Sequence, residues 1–262
     1  FSLPLTLQRF ESELPGNTAL PSPEEELKAL AALDKGNYKY KVEDYFAKPK
    51  ASAFQLSPNG KYLSYMEKDD AGKRHVYVKE IATGTVKRAI EEKDELIKGY
   101  GWINDERLFF VMDKGGNENY HLFASNIDGS NTRDLTPFDG VKASILNMLK
   151  EQKDYMIISM NKNNPQIFEP YKLNVVTGEL TQLYENKDAA NPIQGYEFDK
   201  DGELRGYSRL VNGIESELYY NDLATGEFRL LKKTHWDDTF GVIAFNYASK
   251  NKAEAYVLPN MD

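Results

Sequence analysis

The chain has 262 residues, 40% of them apolar, a formal charge of −8 and no cysteine. An excess of acids argues against a nucleic-acid surface, which needs clustered Lys and Arg, and turns attention to neutral or cationic ligands. The lack of cysteine excludes thiolate metal sites, disulfide scaffolds and cysteine nucleophiles together, and is compatible with more than one compartment.

The opening "FSLPLTLQ" is apolar but too short for a signal h-region, with no basic segment before it and no small-x-small site after it. Residues 1–50 form an N-terminal arm with one short amphipathic helix. In "SPEEELKALAALDKG", Ser22 is placed as N-cap, Pro23 at the first helical position and Glu25 three residues after the cap. Leu27, Leu30 and Leu33 fall on roughly one face, and Gly36 stops the helix. Too short to be a domain, this arm is expected to pack on the β-rich region C-terminal to it.

From Ala53 the period changes to two. "KYLSYM", "HVYVKEI", "ERLFFVM", "YHLFASNI", "DYMIISM", "YKLNVV", "ELRGYSRL", "ELYYNDL" and "GVIAFNY" are short runs rich in Tyr, Phe, Val and Ile, with turn residues between them. Thr-Gly or Asp-Gly turns end at Gly84, Gly129, Gly178 and Gly226, spacings of 45, 49 and 48 residues. A second marker keeps the same period. The polar turn Ser57-Pro58-Asn59-Gly60 recurs at Ile103 to Glu106, Glu151 to Asp154, Asp199 to Gly202 and Tyr247 to Lys250.

A repeat of this length holding four short strands predicts an all-β chain, a β-propeller of four-stranded blades. Each blade must bury its apolar faces against its neighbours, so the sequence repeats to build a core. The expected blades are approximately 51–95, 96–143, 144–191, 192–238 and a partial fifth, 239–262. Four blades and half a fifth would leave strand edges to be covered, which leads to the expectation of a longer protein.

Motifs that carry chemistry are mostly lacking. Gly206-Tyr207-Ser208-Arg209-Leu210 lacks the second Gly of a nucleophile elbow and falls in a strand. His75, His121 and His235 have no metal-ligand spacing, and the first two occupy corresponding strands of successive repeats, which argues for packing. Asp199-Lys200-Asp201-Gly202 starts like a calcium loop but runs straight into a strand, so it is expected to be a hairpin turn. The acidic run Glu91, Glu92, Asp94, Glu95 is read as solvated charge on a connecting loop, with attraction of a cationic group as the functional alternative. Tyr62, Tyr65, Tyr77, Tyr120, Tyr219 and Tyr220 fit half-buried strands and do not mark a platform. No phosphate loop or dinucleotide fingerprint is present. Catalytic, cofactor and metal residues are therefore none, and substrate-binding residues are not assigned.

"KVEDYFAKPKASAFQLSPNGKYLSYM", Lys41 to Met66, followed by "VYVKEIATG", resembles the start of the non-catalytic propeller of prolyl oligopeptidase-family serine peptidases. The likeness is to their bacterial dipeptidyl peptidase and acylaminoacyl peptidase-like members, and it weakens in the later repeats. The repeat alone is shared with TolB-like propellers, but there a small α/β domain precedes the blades and the arm is too short for one. The resemblance implies a chain that is inert by itself and gates access of short peptides to a C-terminal α/β-hydrolase domain of the same polypeptide. It implies no cofactor, and the Ser, Asp and His of that domain have no counterpart among these residues. The expected partners are that domain and short peptides, with no nucleic acid and no membrane insertion. The expected location is periplasmic or secreted, with the cytoplasm left open. The competing readings are a stand-alone periplasmic TolB-like propeller that binds a protein partner and, more weakly, a small closed propeller holding a sugar or peptide.

Overall fold

The computed structural model describes residues 23–33, 36, 39–235, 237–249 and 254–260. The chain divides into two compact units, Phe1–Pro49 and Lys50–Asp262. In the first unit lies the expected helix, α1 (Glu24–Ala32), whose first turn is Glu24, Glu25 and Glu26, a favourable placement of negative charge at a helix start. Ser22, the expected cap, lies outside the described residues. A second, five-residue helix, α2 (Val42–Phe46), was not expected from the sequence. The Asp44 carboxylate accepts the Lys41 N–H at 2.7 Å and so closes its first turn.

The second unit is a β-propeller built of antiparallel sheets in strict chain order. The first sheet is β1 (Ala51–Leu56), β2 (Tyr62–Lys68), β3 (Arg74–Glu80) and β4 (Val86–Ile90). The second is β5 (Gly99–Trp102), β6 (Arg107–Met112), β7 (His121–Asn126) and β8 (Arg133–Asp134). The third is β9 (Ala143–Asn147), β10 (Tyr155–Asn164), β11 (Ile167–Asn174) and β12 (Leu180–Gln182). The fourth is β13 (Ile193–Phe198), β14 (Leu204–Val211), β15 (Glu215–Asp222) and β16 (Glu227–His235), followed by a pair, β17 (Thr239–Asn246) and β18 (Glu254–Asn260).

The landmark glycines do what the repeat required. Gly84, Gly129, Gly178 and Gly226 all take positive φ, between +74° and +83°, a conformation open to Gly at little cost. At Gly129 there is a second reason, because a Cβ would stand 2.9 Å from the Arg88 carbonyl oxygen of the preceding sheet. The other marker, the polar turn, joins sheet to sheet. Asn59 N–H donates to the Asp105 carboxylate, Asn104 to the Lys153 carbonyl, Gln152 to the Asp201 carbonyl and Lys200 N–H to the Tyr247 hydroxyl. These bonds link residues 46, 49, 49 and 47 positions apart, so each copy of the turn holds the next copy.

Between the sheets lie the cores. Met66, Val76, Val78, Leu108 and Phe110 fill the first junction, and Leu122, Ala124, Met156, Ile158 and Leu173 the second. Strand β10 is central to its sheet and is buried without a break from Met156 to Met160, as a strand covered on both faces must be. Polar groups cross the first junction only when satisfied. Trp102 Nε1 donates to Ser64 Oγ at 2.9 Å, and the Tyr100 hydroxyl donates to the Ala53 carbonyl at 2.5 Å. Ala53 sits at the bulge of β1 with φ +54°, a strained setting for a residue with a side chain. The Tyr100 bond holds it there.

Candidate functional site

The junction between the first and second sheets opens outward. Strand β4 has five residues, and the segment 91–98 that comes after it leaves a cleft of about 710 Å³ against the second sheet. Its floor is apolar: Phe110 and Phe123 stack at 5.2 Å beside Met112. Its rim is charged, with Glu91, Asp94 and Glu95 accompanied by Arg88, Lys93 and Arg133. A neighbouring recess of about 470 Å³ shares Asp94, Glu95 and Asp134 and adds Asp113 and His121.

The connecting segment is held by two carboxylates from within, which corrects its reading as solvated charge at Glu92 and Glu95 but not at Glu91 and Asp94. Glu92 is 5% exposed, and its two oxygens accept the Arg74 and Ile97 N–H groups at 3.1 and 3.0 Å. The Glu95 carboxylate accepts the Gly115 N–H at 2.9 Å. Glu91 is exposed and pairs with Arg88 at 2.9 Å, and Asp94 is exposed on the rim. The acidic run therefore divides into two anchors and two solvent-facing charges, and a cationic group entering the cleft would meet Glu91 and Asp94 first.

A comparable cleft of about 530 Å³ opens between the third and fourth sheets, lined by Tyr184, Asn186, Asp188, Asn191, Tyr207 and Arg209. Tyr207 stacks on Tyr219 at 4.9 Å, and burial, together with the neighbouring Tyr184 and Tyr219, pushes its phenol up to about 12. Arg209 is clamped: Nε donates to Glu217 Oε2 at 2.9 Å, Nη2 to the Tyr219 hydroxyl at 2.9 Å, and Asp188 lies 3.7 Å away. Burial alone would raise Glu217, but Arg209, the Tyr219 hydroxyl and Lys233 outweigh it and hold its carboxyl below the usual range. On β13, Glu197 is half-buried, its carboxylate has no hydrogen-bond or ionic partner among the described residues, and burial pushes that carboxyl above the ordinary value.

The residues singled out in the sequence mostly have structural places. Ser208 lies within β14, half-buried, in strand and not in a strand-to-helix elbow. His75 is 4% exposed; its Nδ1 accepts the Glu92 N–H at 3.1 Å and its Nε2 faces Asp69 at 3.2 Å, so it packs the first sheet against the connecting segment. His121 faces Asp134 at 2.7 Å in the recess, and His235 pairs with Asp237. Asp199 ties its own turn, accepting the Asp201 and Glu203 N–H groups at 3.0 Å, and Gly202 takes φ +88°, so the segment is a hairpin turn. Tyr65 stacks with both Phe54 and Tyr77 on the first sheet, and Tyr62 stacks on Trp102. Tyr120 lies under Lys142, Tyr219 meets Arg209 and Tyr220 meets Arg205. Among the described residues no group of three His, Cys, Asp or Glu side chains is arranged for a metal ion, and no helix is long and apolar enough to cross a membrane. Sequence reasoning missed Arg209, Glu217 and Glu197; the signal was present as charged residues interrupting aromatic strands.

No family model matches the chain. Over 162 residues it is 30% identical to dipeptidyl aminopeptidase BIII of Pseudoxanthomonas mexicana, a match covering 61% of this chain and 23% of that protein. Over 205 residues it is 27% identical to dipeptidyl peptidase family member 6 of Caenorhabditis elegans, covering 74% of this chain and 26% of the relative. The chain thus spans about a quarter of the length of the curated relatives it matches. Among solved structures, oligopeptidase B from Leishmania major aligns with a TM-score of 0.49 at 10% identity, over 73% of this chain and 28% of that one. TolB from Acinetobacter baumannii aligns with a TM-score of 0.42 at 15% identity, over 70% and 44%. The chain is a β-propeller whose sequence relatives are dipeptidyl peptidases.

Proposed function

We propose that this chain is the non-catalytic propeller portion of a prolyl oligopeptidase-family serine peptidase, and that it gates the access of short peptides to an α/β-hydrolase domain of the same polypeptide. The observation that carries the proposal is the 30% identity to a dipeptidyl aminopeptidase over 162 residues. The physical argument is rigidity. Sheets joined by buried cores and by turn-to-turn hydrogen bonds hold their loops in fixed relation, which is what positioning a peptide for acyl transfer requires. The bond-breaking groups, in this reading, belong to the hydrolase domain, and the propeller supplies exclusion and orientation. Its acidic character favours peptides with a free amine or basic side chains.

The test is to label source cells with a fluorophosphonate probe, which reacts with active serine hydrolases, and detect the native product with an antibody to this chain. A labelled band well above the 29.9 kDa of these residues supports the gating reading. An unlabelled band at that size overturns it in favour of a free-standing binding propeller. The purified chain alone is expected to show no inhibitor-sensitive cleavage of dipeptidyl reporter substrates.

A further inference from the structure

The junction between the third and fourth sheets is thinly filled. Its apolar cluster has three buried members among the described residues, Leu149, Ile157 and Phe198, against twelve at the junction before it. A recess of about 400 Å³ opens between these two sheets, within the roughly 300–1,000 Å³ range of small-molecule sites. Its polar lining is Ser144 on β9, Ser159 on β10, Gln166 in the turn between β10 and β11, and Gln194 on β13. None of the residues around it is charged, although 28% of the chain is.

Ser159 carries the inference. It is 6% exposed, it lines the recess, and its hydroxyl has no hydrogen-bond partner among the described residues. An unpaired buried hydroxyl is costly, and such groups in folded proteins ordinarily have a partner. The first junction shows the satisfied case. Ser64, also on the second strand of its sheet, accepts from Trp102 Nε1 at 2.9 Å and donates to the Gln55 carbonyl at 3.2 Å. Counted from the polar turn, Trp102 corresponds to Phe198, whose ring has no donor. The Tyr196 hydroxyl, which could have replaced it, donates to the Phe168 carbonyl at 3.0 Å. The side chains of Ser144, Gln166 and Gln194 likewise have no hydrogen-bond partner among the described residues.

We propose that this recess binds an uncharged saccharide, with one sugar ring seated between the two sheets. Hydroxyls and primary amides each donate and accept, the pattern that complements sugar hydroxyls. Leu146, Phe168 and Pro192 add apolar surface for the C–H face of the ring. The lack of charge chooses among neutral ligands. A short peptide brings charged termini, for which this lining has no partner, whereas a saccharide brings none. The proposal does not rest on the peptidase reading.

The test presents the 262-residue chain with the methyl glycosides of glucose, galactose, mannose and N-acetylglucosamine in saturation-transfer difference NMR. A parallel arm uses acetyl-trialanine amide, a blocked neutral peptide. Transfer to at least one glycoside is expected, and that glycoside is then titrated. Ser159→Ala, which removes the unpaired hydroxyl, is expected to weaken its binding about fivefold, the loss of one hydrogen bond, without lowering the thermal midpoint. Gln194→Ala, at an exposed position, is expected to weaken it in the same sense. No transfer to any glycoside, equal binding by the wild type and both variants, or transfer to the peptide alone overturns the proposal.

Discussion

Two junctions of the same repeat are filled in opposite ways. Between the second and third sheets, Met156, Ile158, Met160 and Leu173 are fully buried and the contact is apolar. Beside the β17–β18 pair, Arg205 of the fourth sheet is fully buried against Asp199 at 3.2 Å, donates to the Tyr220 hydroxyl at 2.6 Å and lies over the Phe245 ring of β17 at 4.8 Å. One repeat therefore tolerates an oily junction and a charged one. The two should fail differently. An apolar junction loses stability in proportion to the volume removed, whereas a buried ion pair fails when one partner is left alone.

The largest effect is expected at the charged junction. Asp199→Ala should destabilise the chain by about 4 kcal/mol, because Arg205 is left buried without its carboxylate, as read by urea unfolding. Replacing both members, Asp199→Ala with Arg205→Met, should recover most of that loss; a double variant as unstable as the single one would mean that the turn bonds of Asp199, and not the ion pair, dominate. At the apolar junction Ile158→Ala should cost about 3 kcal/mol through the cavity it leaves. A loss below about 1 kcal/mol would show that the third sheet relaxes into the space.

Alkaline pH should act on the aromatic junction between the third and fourth sheets. Tyr207 is raised to about 12 in the folded chain, against an ordinary value of about 10 when unfolded. The folded state thus holds the proton more tightly. Its contribution is fully present below pH 10 and is lost as pH rises from about 10 to about 12. Tyr171, also raised to about 12, adds in the same sense. Tyr207→Phe should flatten the fall in thermal midpoint over that window. An unchanged slope would place the titration elsewhere. The smallest effect is expected at the turns, where Tyr247→Phe removes the acceptor of the Lys200 N–H and should cost about 0.5 kcal/mol. Faster amide exchange at Lys200, with its neighbours unchanged, is the readout that separates this from global loosening.

Much of the propeller was legible because its central strands are covered on both sides. The runs read from sequence correspond to β2, β3, β6, β7, β10, β11, β14, β15 and β17, and most carry the buried residues of the cores. The first and last strands of the sheets were harder to see. Strand β8 is two residues long, β12 three, and β16 is exposed along much of its length, so none shows a clean apolar alternation. The helix α2 escaped because five residues give no periodicity to read. The acidic run was visible, but not that Glu92 would turn inward to cap two backbone N–H groups, since burial of a carboxylate depends on donors eighteen and five residues away.

The class of fold and its period were set by the amino-acid order alone, because strand alternation and turn chemistry are local and each repeat restates them. The turns that were to meet were set in the same way, since equal spacing brings equivalent residues side by side. Which charged residues face each other was settled only when the sheets packed. Arg205 finds Asp199, Arg209 finds Glu217, and Arg107 finds only neutral acceptors, although all three open or interrupt strands of similar composition. Backbone conformation depends on neighbours in the chain, whereas the compensation of a buried charge depends on neighbours in space, which in this fold lie on another strand or one full repeat away.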